Sequence, residues 1–233
     1  ALEAGDGVLK LGKGTYRITR PLLIDLARQG YGAVLGEGGA SRIVMEGSGP
    51  AIRIIGDHQG TAQPDTYQDH TWEKERFPTI QDVEILGRHP EAVGIELRKT
   101  TKTVISRVLV RECLHGIQLV ERNRDFILSD SHLLNNHAYG LFPDRCNLHQ
   151  LIVTRNPFIR NKKARILTPT AAGDGNLVAL LLADEGSGQR RLVADAALLR
   201  IGLDGAEDPV GGLGLRVDVV DRHLGPEDHL VAG

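Results

Sequence analysis

The chain has little of several residue types. Only two of its 233 residues are cysteine, so a framework of disulfides is excluded, and Cys113 and Cys146 are expected to be unpaired thiols. Lys and Arg number 28 against 30 Asp and Glu, which leaves no basic excess of the kind that binding to nucleic acid or an anionic membrane requires. No apolar run approaches the ~18 residues of a membrane span. Neither nucleic acid nor a membrane is therefore an expected partner.

Aromatic residues are also scarce, at 4% of the chain, whereas glycine occurs 28 times. An aliphatic, glycine-rich composition of this kind suits many short strands joined by tight turns better than a bundle of helices.

A repeat is the main positive signal. The segments 93–97 (VGIEL), 115–119 (HGIQL) and 139–142 (YGLF) carry glycines that lie 22 and then 24 residues apart. A second column aligns as well: the strand-like segments that begin at Ile80, Ile105, Leu128 and Val153 follow one another at 25, 23 and 25 residues. Two independent columns thus share one period.

The period predicts stacked strands. Each short segment alternates apolar and polar residues, which places one face inward and the other toward solvent. Stacking of successive repeats at roughly 4.8 Å would bury the inward residues as aliphatic ladders. A βα reading is disfavoured because the polar intervals 98–102 and 121–125 are only about five residues long, and a crossover needs roughly ten or more. We therefore predict an all-β, single-stranded right-handed parallel β-helix, a solenoid of 22–25-residue coils.

The repeat also predicts the domain organisation. Residues 1–158 are expected to form the β-helix coils, interrupted by a long loop at 56–78 that contains the only tryptophan, Trp72. Residues 159–233 contain no Phe, Tyr or Trp, and the repeat fades there. Three alternatives stay open for this atypical segment: degenerate terminal coils, a different cap or poorly ordered tail, and an altered coding segment.

The opening residues carry a family resemblance. The segment 5–22 (GDGVLKLGKGTYRITRPL), together with the later Gly-Ile-x-Leu segments, resembles the start of pectate-lyase-like proteins of the pectin lyase fold. The resemblance covers about residues 1–167 and implies a polysaccharide or other glycan as partner and an extracellular or periplasmic location. It also implies a capping helix before the first strand, of which residues 1–4 look like the tail. The superfamily includes lyases, hydrolases, epimerases and members without known chemistry, so fold is better specified than activity.

The resemblance places the substrate groove along the sheet of the Gly-Ile-x-Leu strands. On that face His115 and His137 are expected on the same side of adjacent strands. A histidine with a pKa near neutrality can take a proton α to a uronic acid carboxylate, which Arg111 or Arg145 would neutralise. These four are the candidate catalytic residues. The alternative is that they only cover a solvated face.

Candidate substrate-binding residues complete the set: Glu91, Tyr139, Asp144 and Trp72. The Trp72 ring could stack on a sugar, or it could anchor its loop together with Tyr67 and Phe77. No metal site is assigned from the residues themselves. Pectate lyases hold Ca²⁺ with acidic side chains on successive coils, but Glu91, Glu112 and Asp144 do not recur in one column, so calcium is implied by the resemblance alone.

The expected function is therefore action on an acidic polysaccharide by lyase-type or epimerase-type chemistry. Two alternatives stay open: a non-catalytic glycan-binding or scaffold protein, and a glycoside hydrolase. Hydrolysis requires two carboxylates at roughly 5 to 9.5 Å, and polygalacturonase-like relatives supply an Asp-Asp pair that this chain lacks.

Overall fold

The computed structural model describes residues 7–59, 66–166, 177–181 and 198–200. Within them the chain forms two sheets in which neighbouring strands run parallel, apart from one antiparallel pair. Twelve described strands form the larger sheet: β1 (Val8–Lys10), β3 (Leu22–Asp25), β4 (Ala33–Leu35), β6 (Gly49–Ile55), β7 (Thr79–Gln81), β9 (Ala92–Thr101), β10 (Val104–Ser106), β12 (His115–Ser129), β14 (Tyr139–Thr154), β16 (Ala164–Ile166), β17 (Leu177–Leu181) and β18 (Leu198–Arg200).

Six described strands form the smaller sheet: β2 (Gly14–Ile18), β5 (Ser41–Met45), β8 (Glu84–Gly87), β11 (Leu109–Arg111), β13 (His132–Leu134) and β15 (Phe158–Ile159). Two short helices, α1 (Leu26–Gln29) and α2 (Asp69–Lys74), and a 3-10 turn at Gly38–Ala40 complete the described elements. The helix α2 lies in the interval 56–78, for which a long loop was predicted.

The core is built from aligned aliphatic side chains. In the larger sheet Ile80 pairs with Ile105, which pairs with Leu128, and all three side chains are fully buried. In the smaller sheet Ile85 and Val110 are aligned in the same way. Burial of each such side chain contributes about 1.5–3 kcal/mol. The alignment of residues one repeat apart, expected from the period, is therefore present in the strand pairing.

The prediction of a single-stranded right-handed β-helix solenoid is wrong. The structure instead has two parallel sheets, of which the larger is curled like a half-barrel, and the antiparallel pair β17–β18 lies at its edge. Assignment to a pectin lyase fold is wrong for the same reason.

The error has a local cause. The polar intervals 98–102 and 121–125, which the sequence indicates are too short for a crossover, do not interrupt the strands: β9 contains most of the first and β12 contains all of the second. Lys99 and Glu121 adopt left-handed backbone with φ of 54° and 60°, and the strand register shifts after Val120. Irregular residues of this kind bend a strand without ending it. A continuous curved strand therefore replaces two short strands and a turn.

The structure describes only part of the C-terminal segment 159–233, which was predicted to be atypical. Residues 159–166 continue the pairing, since β16 lies beside β14, and β17 also pairs with β14. The remainder of 159–233, apart from β17 and β18, lies outside the described residues, as do residues 1–6, which include the expected tail of a capping helix. The division at 158 stays a prediction.

Candidate functional site

Three rings stack at the start of two neighbouring strands of the larger sheet. His115 begins β12 and Tyr139 begins β14, and Phe142 follows three residues later. The His115 ring centroid lies 4.2 Å from that of Phe142 and 5.6 Å from that of Tyr139, and the two carbocyclic rings are 5.0 Å apart. The interplanar angles are 11° to 27°. We call these three residues the aromatic face. All three are partly exposed.

Two sequence features shape the strands that carry the aromatic face, and the first of them accounts for Phe142. Alternation along β12 and β14 turns Ile117 and Leu141 into the core, and they are aligned with each other. Phe142 is aligned with Gln118 on the opposite, outward side. Gly116, which follows His115, is required because a Cβ there would lie 2.5 Å from the Gly140 carbonyl oxygen.

The imidazole of His115 is neutral at physiological pH. Burial lowers its pKa, the Asp144 carboxylate opposes that effect and the Lys163 ammonium adds to it, so the pKa ends at about 4. Its Nδ1 atom is buried and makes no hydrogen bond within the described residues. A neutral ring that stacks on two others behaves as a flat, weakly polar surface rather than as a cation.

Polar groups line the aromatic face. The Gln118 amide donates a hydrogen bond to Asp144 at 3.2 Å, and the Arg145 guanidinium lies 3.4 Å from the same carboxylate. The Arg145 side chain is 92% exposed. The Lys163 ammonium lies 5.8 Å from the Tyr139 ring centroid. The surface therefore combines flat rings with an amide, a carboxylate and two cations.

A strip of ion pairs continues from the aromatic face across the strands. Arg53 and Glu96 are aligned partners in β6 and β9, and Glu96 is aligned with Gln118 in β12. The Glu96 carboxylate, 6% exposed as a residue, lies 2.8 Å from Arg53 and 3.5 Å from Arg98. Arg98 also contacts Glu121 at 2.5 Å.

The structure does not bring the four predicted catalytic residues to one point. His115 and Arg145 lie on or beside the aromatic face. His137 is exposed just before β14 and lines a surface cavity whose lining does not include His115. Arg111 lies in β11 of the smaller sheet, where its Nε atom donates to Glu84 at 2.8 Å and its Nη1 atom contacts Glu112.

Arg111 is therefore already neutralised. Burial lowers the pKa of its guanidinium, but the Glu84 and Glu112 carboxylates raise it, and it ends above its usual value. Glu84 also accepts a hydrogen bond from Arg42 at 2.6 Å. A guanidinium held in such a network is poorly placed to receive a substrate carboxylate.

The predicted substrate-binding residues divide in the same way. Tyr139 and Asp144 belong to the aromatic face and its rim. Glu91 is exposed before β9, with its carbonyl accepting a hydrogen bond from Gly49 at 3.0 Å. Trp72 is 44% exposed, and its ring centroid lies 4.6 Å from the Tyr67 ring centroid. The Lys102 ammonium lies 3.1 Å from the Trp72 ring centroid. These contacts favour the anchoring alternative for Trp72.

Calcium, implied by the resemblance, does not fit the residues present. Of the three acidic candidates, Glu112 and Asp144 contact arginines, which already balance their charge. No group of three or more His, Cys, Asp or Glu side chains that could hold a metal ion is found in the described part of the chain.

Sequence reasoning missed three features. Phe142 was seen only as part of the repeat, although its place in the column of Gln118 and Glu96 indicates an outward side chain. Lys163 gave no sequence signal. An acid pair, Asp57 and Glu75, was also missed: the two carboxyl groups are hydrogen-bonded, and burial together with the Asp57 and Asp25 carboxylates raises the pKa of Glu75 to about 9.

Comparison of the chain with family models, curated proteins and solved structures found no match. Within the described residues, no helix is long and apolar enough to cross a membrane. The functional assignment therefore rests on the geometry of the site.

Proposed function

We propose that the chain binds an acidic polysaccharide, with sugar rings lying on the aromatic face of His115, Tyr139 and Phe142. The observation that carries the proposal is the near-parallel stacking of these three rings on a partly exposed strand face. Flat aromatic surfaces suit the C–H faces of sugar rings, and binding sites combine such surfaces with a few placed polar groups.

The polar rim supports a glycan in particular. The Gln118 amide and Asp144 carboxylate offer a donor and acceptors to sugar hydroxyls, and the exposed Arg145 and Lys163 offer positive charge to carboxylate or sulfate groups. An extracellular or periplasmic location belongs to the same proposal, since such polymers occur there.

Binding is favoured over proton abstraction by the electrostatics of His115. A pKa of about 4 makes the imidazole a weaker base than an ordinary histidine, and general-base catalysis is most effective with a pKa near the working pH. Of the expected partners of the reaction, His137 lines a cavity whose lining does not include His115, and Arg111 is paired with Glu84.

The test is affinity for a panel of pectic, alginate and glycosaminoglycan chains, measured by calorimetry. Phe142→Ala and Tyr139→Ala should each weaken binding of the recognised chain about tenfold, the loss expected for one stacking contact of roughly 1.4 kcal/mol. Phe142→Trp should retain binding. Tyr16→Ala is the matched control, because Tyr16 is a 37% exposed aromatic residue on β2 of the other sheet.

Failure of every chain in the panel to bind, or equal losses in the Tyr16 and Phe142 variants, would overturn the proposal. Circular dichroism and thermal unfolding of each variant show whether a loss reflects binding or folding.

Elimination or epimerisation at a uronic acid is the second candidate, favoured by a neutral, partly exposed imidazole beside Asp144. An absorbance increase from unsaturated uronate, or a change in epimer content, should be seen with the wild-type chain and lost in His115→Ala. If the wild-type chain gives neither signal on any polysaccharide that it binds, this candidate is excluded.

A further inference from the structure

A cationic cavity lies at the amino-terminal edge of the same strands. It has a volume of about 450 Å³, within the range of small-ligand sites. Its lining comes from segments that precede β9, β12, β14 and β16: Gly87, Arg88, His89, Pro90, Glu112, His137 and Lys162.

The charge balance of the cavity is positive. Among the described residues that line the cavity, Glu112 is the only acidic one, and its carboxylate lies 2.9 Å from Arg88 and also contacts Arg111. The negative charge of Glu112 is thus already compensated by arginines. Lys162 adds a further ammonium, and its side chain is exposed.

Two histidines also line the cavity, and a hydrogen bond orients the ring of His89. The Nδ1 atom of His89 accepts a hydrogen bond from the Glu91 backbone N–H at 3.1 Å. A neutral imidazole that accepts at Nδ1 carries its proton on Nε2, so His89 presents an N–H donor at the far side of its ring. His137 is held by its backbone N–H, which donates to the Cys113 carbonyl at 2.7 Å, and its side chain is exposed at the cavity wall.

Two residues that line the cavity are close in sequence to residues of the aromatic face or its polar rim. His137 lies two residues before Tyr139, and Lys162 directly precedes Lys163, whose ammonium is near the Tyr139 ring. Residues of the cavity lining thus neighbour residues of the aromatic face and its polar rim at two places in the sequence.

We infer that this cavity is a subsite for an anionic oxygen group, a carboxylate or a sulfate, carried by a sugar of the bound polysaccharide. The inference rests on the proposed function for the identity of the chain. The anion itself is recognised by the exposed Lys162 ammonium and by the histidine side chains that line the cavity, while Arg88 stays paired with Glu112. Charged donors such as Lys162 make the strongest hydrogen bonds to such oxygens.

Inorganic sulfate tests the cavity without any glycan. In titrations followed by imidazole NMR, the signals of His89 and His137 should shift saturably with sulfate. Lys162→Gln should remove the shift, whereas Lys10→Gln, which removes an exposed lysine at the end of β1, should keep it. No saturable shift, or an equal shift in Lys162→Gln, would overturn the subsite.

Oligosaccharides supply the second arm. An oligogalacturonide and its methyl ester differ only in free carboxylate, and a sulfated glycosaminoglycan fragment tests the other anion. Lys162→Gln should weaken binding of the charged chain about tenfold and leave the neutral ester unchanged, while Phe142→Ala should weaken both. Unchanged affinity of Lys162→Gln for the charged chain overturns the subsite. A sulfate shift without binding of any glycan overturns the proposed function and leaves the anion site in place.

Discussion

Glu75 offers a sharp test of the electrostatics in this structure. Its side chain is buried, with the residue 1% exposed, at the end of α2, and it accepts a hydrogen bond from the Asp57 backbone N–H. Asp57 also accepts a hydrogen bond from Thr71 at 2.7 Å and contacts His70. Burial raises the pKa of Glu75 to about 9 from 4.5, so the carboxyl group is protonated at neutral pH.

The sign of the pH dependence follows from proton binding. Between pH 4.5 and 9 the folded state holds a proton on Glu75 that the unfolded state releases, so the free energy of unfolding falls as the pH rises. At about 1.36 kcal/mol per pKa unit, Glu75 lowers the free energy of unfolding by at most about 5 kcal/mol between pH 4.5 and pH 8. Burial also raises the pKa of Asp57, but hydrogen bonds from Glu75 and Thr71 and the charge of His70 leave it below 3.8, so Asp57 contributes only at more acidic pH.

Glu75→Gln removes the titrating group but keeps a neutral, hydrogen-bonding side chain of the same size. We expect the variant to match the wild type near pH 5 and to exceed its stability by about 2 to 5 kcal/mol at pH 8. Urea unfolding followed by fluorescence measures this directly, because the only tryptophan, Trp72, lies in the same helix.

The control is Glu73→Gln, an exposed carboxylate on the same helix, which should keep the wild-type pH dependence. Parallel pH profiles for the wild type and Glu75→Gln would refute the reasoning, since they would show that Glu75 ionises alike in both states.

Three further predictions concern the packing. Gly116→Ala should destabilise the fold by about 2 kcal/mol or more in urea unfolding, because its Cβ would lie 2.5 Å from a carbonyl oxygen, whereas Gly39→Ala, with open space around it, should not. Asn136→Ala should lower the free energy of unfolding by about 1–3 kcal/mol in the same assay. The buried Asn136 amide oxygen accepts a hydrogen bond from the Cys113 N–H at 3.1 Å, and its removal would leave that N–H unsatisfied. Both thiols should react slowly with a thiol reagent in the native state and fast in urea, because burial raises the pKa of Cys113 and of Cys146 to about 12; fast native labelling would contradict this.

Much of the local register was predictable. The column of Ile80, Ile105 and Leu128 follows from an apolar pattern with one period, and the structure aligns these residues. Tyr139, Asp144 and His115 were also predicted as site residues from the sequence, because each lies within four residues of a repeated glycine. Phe142 and Lys163 were not, since ring stacking and the reach of a lysine depend on neighbours from other repeats.

The sequence by itself determined which residues are one repeat apart and which side chains point inward, because alternation and spacing act locally. Only the tertiary structure decided that the polar intervals are curved strand rather than turn, since a left-handed residue such as Lys99 or Glu121 either ends a strand or bends it according to whether the next strand pairs beyond it. The same holds for charge: Arg111 reads as a free cation in sequence, and Glu84, 27 residues away, neutralises it in the fold.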